Sequence, residues 1–323
     1  MFISGHPDTN YSSVKLTVTA KVRAADDVVA LTLARPDGRR LPDWSPGSHV
    51  DVVLPSGTTR QYSLCGDRWD AHNYRIAVLH EKEGRGGSAF VHEELTEGMT
   101  LALGGPRNNF RLVPSERYLF IAGGIGITPI LPMLQQADML GAEWKLLYLG
   151  RSRNSMAFLD ELEAYGERVQ VLAKAEAGTF RLEEYIGGPA TDTKVYVCGP
   201  SRLLSAVEQH CREWPPALLR VEHFAAKELG APVYDAPFDV ELARSGLSVT
   251  VTPDVSVVDA LKAAGIDVLT SCRQGTCGTC EVDVLAGKPD HRDSILDKDD
   301  RAAGNCMLPC VSRSCGDRLV LDL

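Results

Sequence analysis

Three rhythms of apolar and polar positions run along this chain. From residue 15 to about 112, apolar and polar side chains alternate in runs such as 16–20, 50–54 and 74–79, divided by Pro and Gly turns. A period of two is that of half-buried strands, so this region predicts an antiparallel barrel or sandwich, with one short helix after Ser88 over 89–95. From about 118 to 224 the pattern changes. Apolar runs near 119–122, 145–149, 169–172, 195–198 and 219–221 alternate with helical stretches near 129–140, 157–165 and 202–212. That order predicts a parallel sheet with helices on both faces and a ligand at the carboxyl ends of its strands. Residues 229–237, with Gly230, Pro232 and Pro237, read as a linker. Beyond it, Ser256-Val257-Val258-Asp259 fits a capping box opening a helix that ends at Gly265, and a cysteine-rich loop follows. The expected units are therefore 1–112, 113–228, the linker 229–237, and 238–323.

Composition narrows the partners. The chain has 323 residues, long enough for two or three domains, and a formal net charge of −9, which argues against nucleic-acid binding. Its N-terminus, Met1 to Asp8, is too polar for a signal peptide, and the longest apolar stretch, 118–134, is broken by Gly123, Gly124, Gly126, Pro129 and Pro132. No membrane partner and a cytoplasmic location are expected. Nine cysteines, an odd number and mostly clustered, suit a metal site in a reducing compartment rather than a disulfide framework.

Cys272, Cys277 and Cys280 form C-x4-C-x2-C, with Cys310 after a gap of 29 residues. This is the ligand spacing of plant-type two-iron, two-sulfur clusters. Gly275 and Gly278 between the thiolates let the backbone wrap tightly and point amides at the sulfurs. The competing reading is structural zinc, but four-thiolate zinc sites usually pair two C-x2-C knuckles across a longer gap. Cys306, Cys310 and Cys315 all compete for the fourth position.

Two further groups of motifs suggest cofactors. Arg60, Tyr62 and Ser63 on one strand offer a phosphate partner, an aromatic cover for a flat ring and a hydroxyl for a ring nitrogen, although the same run also reads as an amphipathic strand. Gly86, Gly87 and Ser88 precede a helix whose first amides suit an anion, or Ser88 merely caps that helix. Gly123, Gly124 and Gly126, with Thr128 as N-cap and Pro129 at the first helical position, form a strand-turn-helix suited to a dinucleotide phosphate or to tight packing. Arg151, at the end of the second strand of this unit, either meets the 2′-phosphate of NADPH or is a solvated basic loop. Cys198, Gly199 and Pro200 end the fourth strand, where Cys198 either approaches a nicotinamide or is a small residue in a tight turn.

Taken in order, these motifs resemble the phthalate dioxygenase reductase family over nearly the whole chain. The run 60–67 is similar to vanillate demethylase reductases within it, and the segment 307–313 looks like the family's Met-Leu-x-Cys-Val-Ser-Arg ending, which favours Cys310 as fourth ligand. The resemblance implies a multidomain protein: an antiparallel β-barrel flavin domain, an α/β parallel-sheet nucleotide domain and an α+β plant-type ferredoxin domain. It implies FMN, with FAD as the alternative, held by Arg60 and Ser88 at the phosphate and by Tyr62 and Ser63 at the ring, with Phe224 of Glu-x-Phe covering the flavin; a core aromatic is the other reading of Phe224. It implies NADH, with NADPH as the alternative, as electron donor, and a Rieske-type oxygenase component as acceptor. A flavin belongs between the two because a nicotinamide gives a hydride, whereas a cluster accepts one electron. A haem-thiolate monooxygenase as acceptor, and a redox-sensing role for the cluster, are the competing functions.

Overall fold

Alternation along the first strands builds the first domain. The computed structural model describes residues 14–84, 86–176, 180–226 and 229–323; the N-terminal segment and the boundary at residue 228 lie outside them. Strands β1 (Val14–Ala25), β2 (Val28–Ala34), β3 (His49–Val53), β4 (Thr59–Ser63), β5 (Asn73–Leu79) and β6 (Thr100–Arg107) pair in the order β4-β3-β6-β1-β2-β5. All of these pairings are antiparallel, and the Leu64↔Ile76 bridge joins the two edges. Leu16, Leu33, Val50, Val52, Ile76 and Leu103 point into the barrel. The short helix is α1 (Gly87–Glu93), two residues earlier than expected, and it buries Val91 against that core.

The second domain contains β7 (Arg117–Gly123), α2 (Ile127–Met139), β8 (Glu143–Gly150), α3 (Leu159–Glu163), β9 (Val169–Ala173), α4 (Leu182–Ile186), β10 (Thr193–Cys198), α5 (Ser201–His210) and β11 (Leu219–Glu222). The sheet is parallel throughout, in the order β11-β10-β7-β8-β9. Adjacent residues of β7 face opposite layers: Phe120 packs with α2 and α3, Ile121 with α4 and α5. Such double-sided burial explains the nearly continuous apolar runs. The chain leaves β7 in one direction and returns on its other side at β10, so the switch point lies between the ends of those two strands.

Helix α3 is shorter than the 157–165 stretch expected. Phe158 takes φ 65 and stops it on one side, and a 3-10 turn at Gly166–Arg168 follows beyond it. Its ring stacks beneath the Arg75 guanidinium, which also binds Glu161 through contacts of 2.6 and 2.8 Å, so barrel and sheet are joined there. Their cores are continuous as well, with Cys65 and Ala77 packed in the same cluster as Ile127 and Phe158.

The third domain comprises β12 (Phe238–Leu242), β13 (Ser248–Val251), α6 (Val257–Ala263), β14 (Val282–Ala286), β15 (Pro289–Asp290), α7 (Lys298–Ala303), β16 (Cys306–Met307), β17 (Arg313–Ser314) and β18 (Arg318–Leu321). A mixed sheet, β13-β12-β18-β14-β16, packs its inner face against α6. Ser256 caps α6 by accepting the Asp259 amide at 3.1 Å, but Asp259 takes the Ser256 hydroxyl proton rather than closing the reciprocal half of the box. The 229–237 segment is tied to this domain: Gly230 O accepts from Arg292, and the Val233 amide donates to Asp290 at 3.1 Å. Among the described residues no helix is long and apolar enough to cross a membrane.

Candidate functional site

The cysteine loop is held by its own backbone. Gly275 has φ 69, and a Cβ there would stand 2.6 Å from the Val311 side chain and 3.0 Å from Asp293 Cα, so this turn needs glycine. The amides of Gln274 and Thr276 donate to Cys272 Sγ at 3.3 and 3.5 Å, and that of Thr279 donates to Cys277 Sγ at 3.4 Å. The thiols fall into two pairs. Cys277 donates to Cys272, which with the two amides holds Cys272 down to about 5; Cys280 donates to Cys310 and keeps it below the ordinary thiol value. Donors directed at sulfur stabilise thiolate, the form that binds metal. Two pairs of sulfurs suit two irons with two thiolates each, which one tetrahedral ion would not require. Cys306, on β16, packs in the same buried cluster as Cys280 and Cys310, and Cys315 directs its thiol at Pro289 O, 3.5 Å away.

Next to this loop lies a cavity of about 300 Å³, within the range of small-molecule sites. Arg60, Tyr62 and Ser63 line it from β4, Gly87 and Ser88 from α1, Thr128 from α2, and Phe224 from the segment after β11. Burial pushes the Tyr62 phenol up to about 12, so it stays protonated, and Phe224 is 42% exposed over the cavity. Ser88 does not cap α1: Gly86 occupies the cap position with φ 79, and the Ser88 hydroxyl accepts the Glu81 amide at 3.0 Å.

The glycine turn has a divided role. A Cβ on Gly126 would lie 2.3 Å from Cys198 O, and one on Gly123 would lie 2.7 Å from the Pro200 ring and 3.4 Å from Gly199 Cα. These glycines therefore let the ends of β7 and β10 touch. Gly124, with φ 54, faces open space and is the turn glycine that a ligand can approach. Thr128 is not the N-cap. A 3-10 turn at Gly124–Gly126 starts the helix earlier, which puts Gly126 at the cap and Thr128 inside the first turn, where its hydroxyl donates to Ile125 O at 3.0 Å. Pro129 accordingly sits third in the helix and is tolerated there because the first amides have no helical partner. Arg151 is exposed at the end of β8, away from the cavity, while its neighbour Arg153 is bound to Glu176 at 3.1 Å.

Several cavity residues were not singled out by the sequence. His49, Glu222, His223 and Thr276 also line the cavity. The Glu222 carboxyl is enclosed beside the Cys198 thiol, 3.8 Å away; burial pushes it up to about 8, and it raises Cys198 in turn. Thr276 comes from the cysteine loop itself, and Asn109 Nδ2 donates to Cys277 O at 2.9 Å, so the loop is fixed against the barrel. A larger cavity of about 550 Å³ opens between the second and third domains. Arg212, Arg220, Asp290 and Asp297 give it mixed charge, and it lacks the β4 motif.

Residues 240–315 match the 2Fe-2S iron-sulfur cluster binding domain family, and residues 107–215 match the N-terminal domain of dimethylamine monooxygenase subunit DmmA-like proteins. Phenoxybenzoate dioxygenase subunit beta of Ectopseudomonas oleovorans is 43% identical over 312 residues, 96% of this chain and 97% of its own. The structure of phthalate dioxygenase reductase, described as modular for electron transfer from pyridine nucleotides to 2Fe-2S, aligns at 33% identity and a TM-score of 0.70, covering 97% of this chain and 98% of that one. An intact type IV self-sufficient cytochrome P450 monooxygenase aligns at 46% identity and a TM-score of 0.92, covering all of this chain but 42% of the larger one.

Proposed function

Because the chain belongs to the phthalate dioxygenase reductase-like family, the reductase subunits of multicomponent oxygenases, we propose that it passes electrons from NADH through FMN and a two-iron cluster to a Rieske-type oxygenase. One observation carries this reading: a single cavity is lined by the Arg60-Gln61-Tyr62-Ser63 strand, the switch-point residues of the nucleotide domain and Thr276 of the cysteine loop. Donor, flavin and cluster thereby meet at one place. When bound, the flavin supplies the conversion of a two-electron hydride into single electrons for the cluster.

The chain's own residues bind and shield. Arg60 offers its guanidinium and Ser88 its hydroxyl to the flavin phosphate, with Gly86 and Gly87 allowing close approach. Tyr62, Ser63 and Phe224 line the same cavity and would hold the flavin ring, Tyr62 and Phe224 by their aromatic faces and Ser63 by its hydroxyl. Gly124 would admit the nucleotide phosphates, Gly123 and Gly126 let β7 meet Cys198, Gly199 and Pro200 beside it, and Thr128 and Arg151 flank the same end of the sheet. Burial keeps Glu222 and Cys198 largely protonated near neutral pH, so neither adds negative charge beside the cavity. Cys272, Cys277, Cys280 and Cys310 hold the cluster. Glu176 engages Arg153 but not Arg151, and it is the family resemblance that favours NADH over NADPH despite Arg151. Nine cysteines without a disulfide suit a reducing cytoplasm.

The likeness of the whole chain to 42% of a self-sufficient cytochrome P450 monooxygenase supports a second acceptor, a haem-thiolate monooxygenase. Anaerobic visible spectra during titration with NADH, and separately with NADPH, test the route: flavin and cluster bands should both bleach, more readily with NADH. If the cluster bands are missing, or neither nucleotide bleaches the flavin, the reading fails. Turnover with purified Rieske and haem-thiolate oxygenases separates the two acceptors.

A further inference from the structure

On β3, Val50 and Val52 point into the barrel, so His49 and Asp51 project from its outer face. An outer face of a barrel is ordinarily wet, yet His49 is 6% exposed and Asp51 is 2% exposed. The cover is visible at His49, which shares its cavity with Thr276 of the cysteine loop and with Glu222. His49 stands opposite Ser63 on β4 and Arg107 on β6, so the three side chains form a row across the sheet.

The row ends in a buried ion pair. Asp51 accepts from Gln61 Nε2 at 3.0 Å and from the Arg107 guanidinium at 2.7 Å. Burial raises Asp51, opposed by side-chain hydrogen bonds from Gln61 and from Ser271 beside Cys272, and the 2.7 Å charge-assisted contact with Arg107 favours the ionised form. Two residues after Arg107, Asn109 grips Cys277 O, and a Cβ on Gly278 would stand 3.2 Å from the Asn109 side chain. The 107–109 segment therefore presses on the 277–278 turn, and while burial lowers Arg107, negative charge on Cys277 and Cys272 favours its protonated guanidinium. A buried ion pair contributes little net stability after desolvation. Its location next to the cluster loop suggests another use.

We propose that Arg107, anchored by Asp51, sets the reduction potential of the cluster by holding positive charge against its Cys272 and Cys277 side. The inference rests on the reductase reading above. In the step concerned, one electron leaves the flavin and enters the cluster; the cluster gains one negative charge, and no bond or proton on Arg107 changes. A fixed guanidinium favours the reduced cluster and draws electrons away from the flavin. Arg107 is thus a tuning residue, not a ligand.

The test is a potentiometric titration of the holoprotein followed by the electron paramagnetic resonance of the reduced cluster, with iron, sulfide and flavin counted in each sample. Arg107→Gln removes a positive charge and should shift electron sharing about tenfold away from the cluster, a midpoint lowered by about 59 mV. Asp51→Asn removes a negative charge while keeping an acceptor for Arg107, and should shift the midpoint upward. Arg107→Lys should stay within threefold of the wild type. A merely structural pair would move both charge-removing variants the same way; that result, or no shift in either loaded variant, overturns the proposal. If Arg107→Gln loses its iron, Asp51→Asn decides alone, because an unchanged or lowered midpoint also overturns it. A wild-type protein without any cluster signal would instead sink the reductase reading, and the inference with it.

Discussion

The cysteine loop and the cavity beside it are neighbours in the chain, since Thr276 lines the cavity and Cys277 follows, but they are built in opposite ways. In the loop, Cys272, Cys277 and Cys280 lie within nine residues, and the amides aimed at their sulfurs come from the same turn. The cavity draws on β3, β4, α1, α2, the end of β11 and the loop itself, from His49 to Thr276. A local site depends on few residues and fails abruptly when one is lost. A convergent site is held by whole domains, and single changes weaken it gradually.

The largest expected effect tests the abrupt half of that contrast. Replacing Cys277 by Ser removes one sulfur of the Cys272 pair, and reduction of a one-electron acceptor should fall by about 100-fold, in step with iron content. NADH oxidation by a two-electron dye should stay within about twofold, because the cavity and the nucleotide turn do not depend on that sulfur. Equal loss of both activities would show that loop and cavity are one unit, and the comparison would be broken.

The same contrast decided what could be read from sequence. Period-two and apolar-run patterns mark the barrel and the parallel sheet, and the cysteine spacing marks the third region, because each of these signals is contiguous. Helix α4 has five residues, too few for a period to register. Alternation in His49-Val50-Asp51-Val52 puts His49 and Asp51 on the barrel's outer side, and their burial there depends on residues distant in sequence, among them Gln61 and Arg107. Glu222 sits in a motif noted for Phe224, but nothing local says that its carboxyl turns toward Cys198 on the adjacent strand. Thr128 looked like a cap until the 3-10 turn before α2 moved the helix start. Each miss concerns a partner distant in sequence or a shift of one turn.

A mid-sized effect sharpens the convergent half. Glu222 titrates near 8 in the folded chain and near the ordinary carboxyl value when unfolded, so between those values the folded state binds more protons. Stability then falls as pH rises through that window, by up to roughly 1.4 kcal/mol per unit, and levels off above about 8. Glu222→Gln has no proton to lose, so its thermal unfolding temperature should gain on the wild type from pH 5 to pH 8. A constant gap between the two proteins across that range would mean that the carboxyl is not enclosed beside Cys198.

The smallest effect lies where the two constructions meet. Asn109 follows the last barrel strand and gives its amide hydrogen to Cys277 O, so it fastens the local loop to the barrel by a direct hydrogen bond. Asn109→Ala removes a neutral hydrogen bond worth about 1 kcal/mol, which corresponds to roughly fivefold faster loss of iron to a chelator. Flavin content should not change, since Asn109 does not line that cavity. If the variant sheds flavin as readily as iron, the loop is acting as a wall of the flavin site, and Thr276 rather than Cys277 becomes the residue through which the two regions depend on each other.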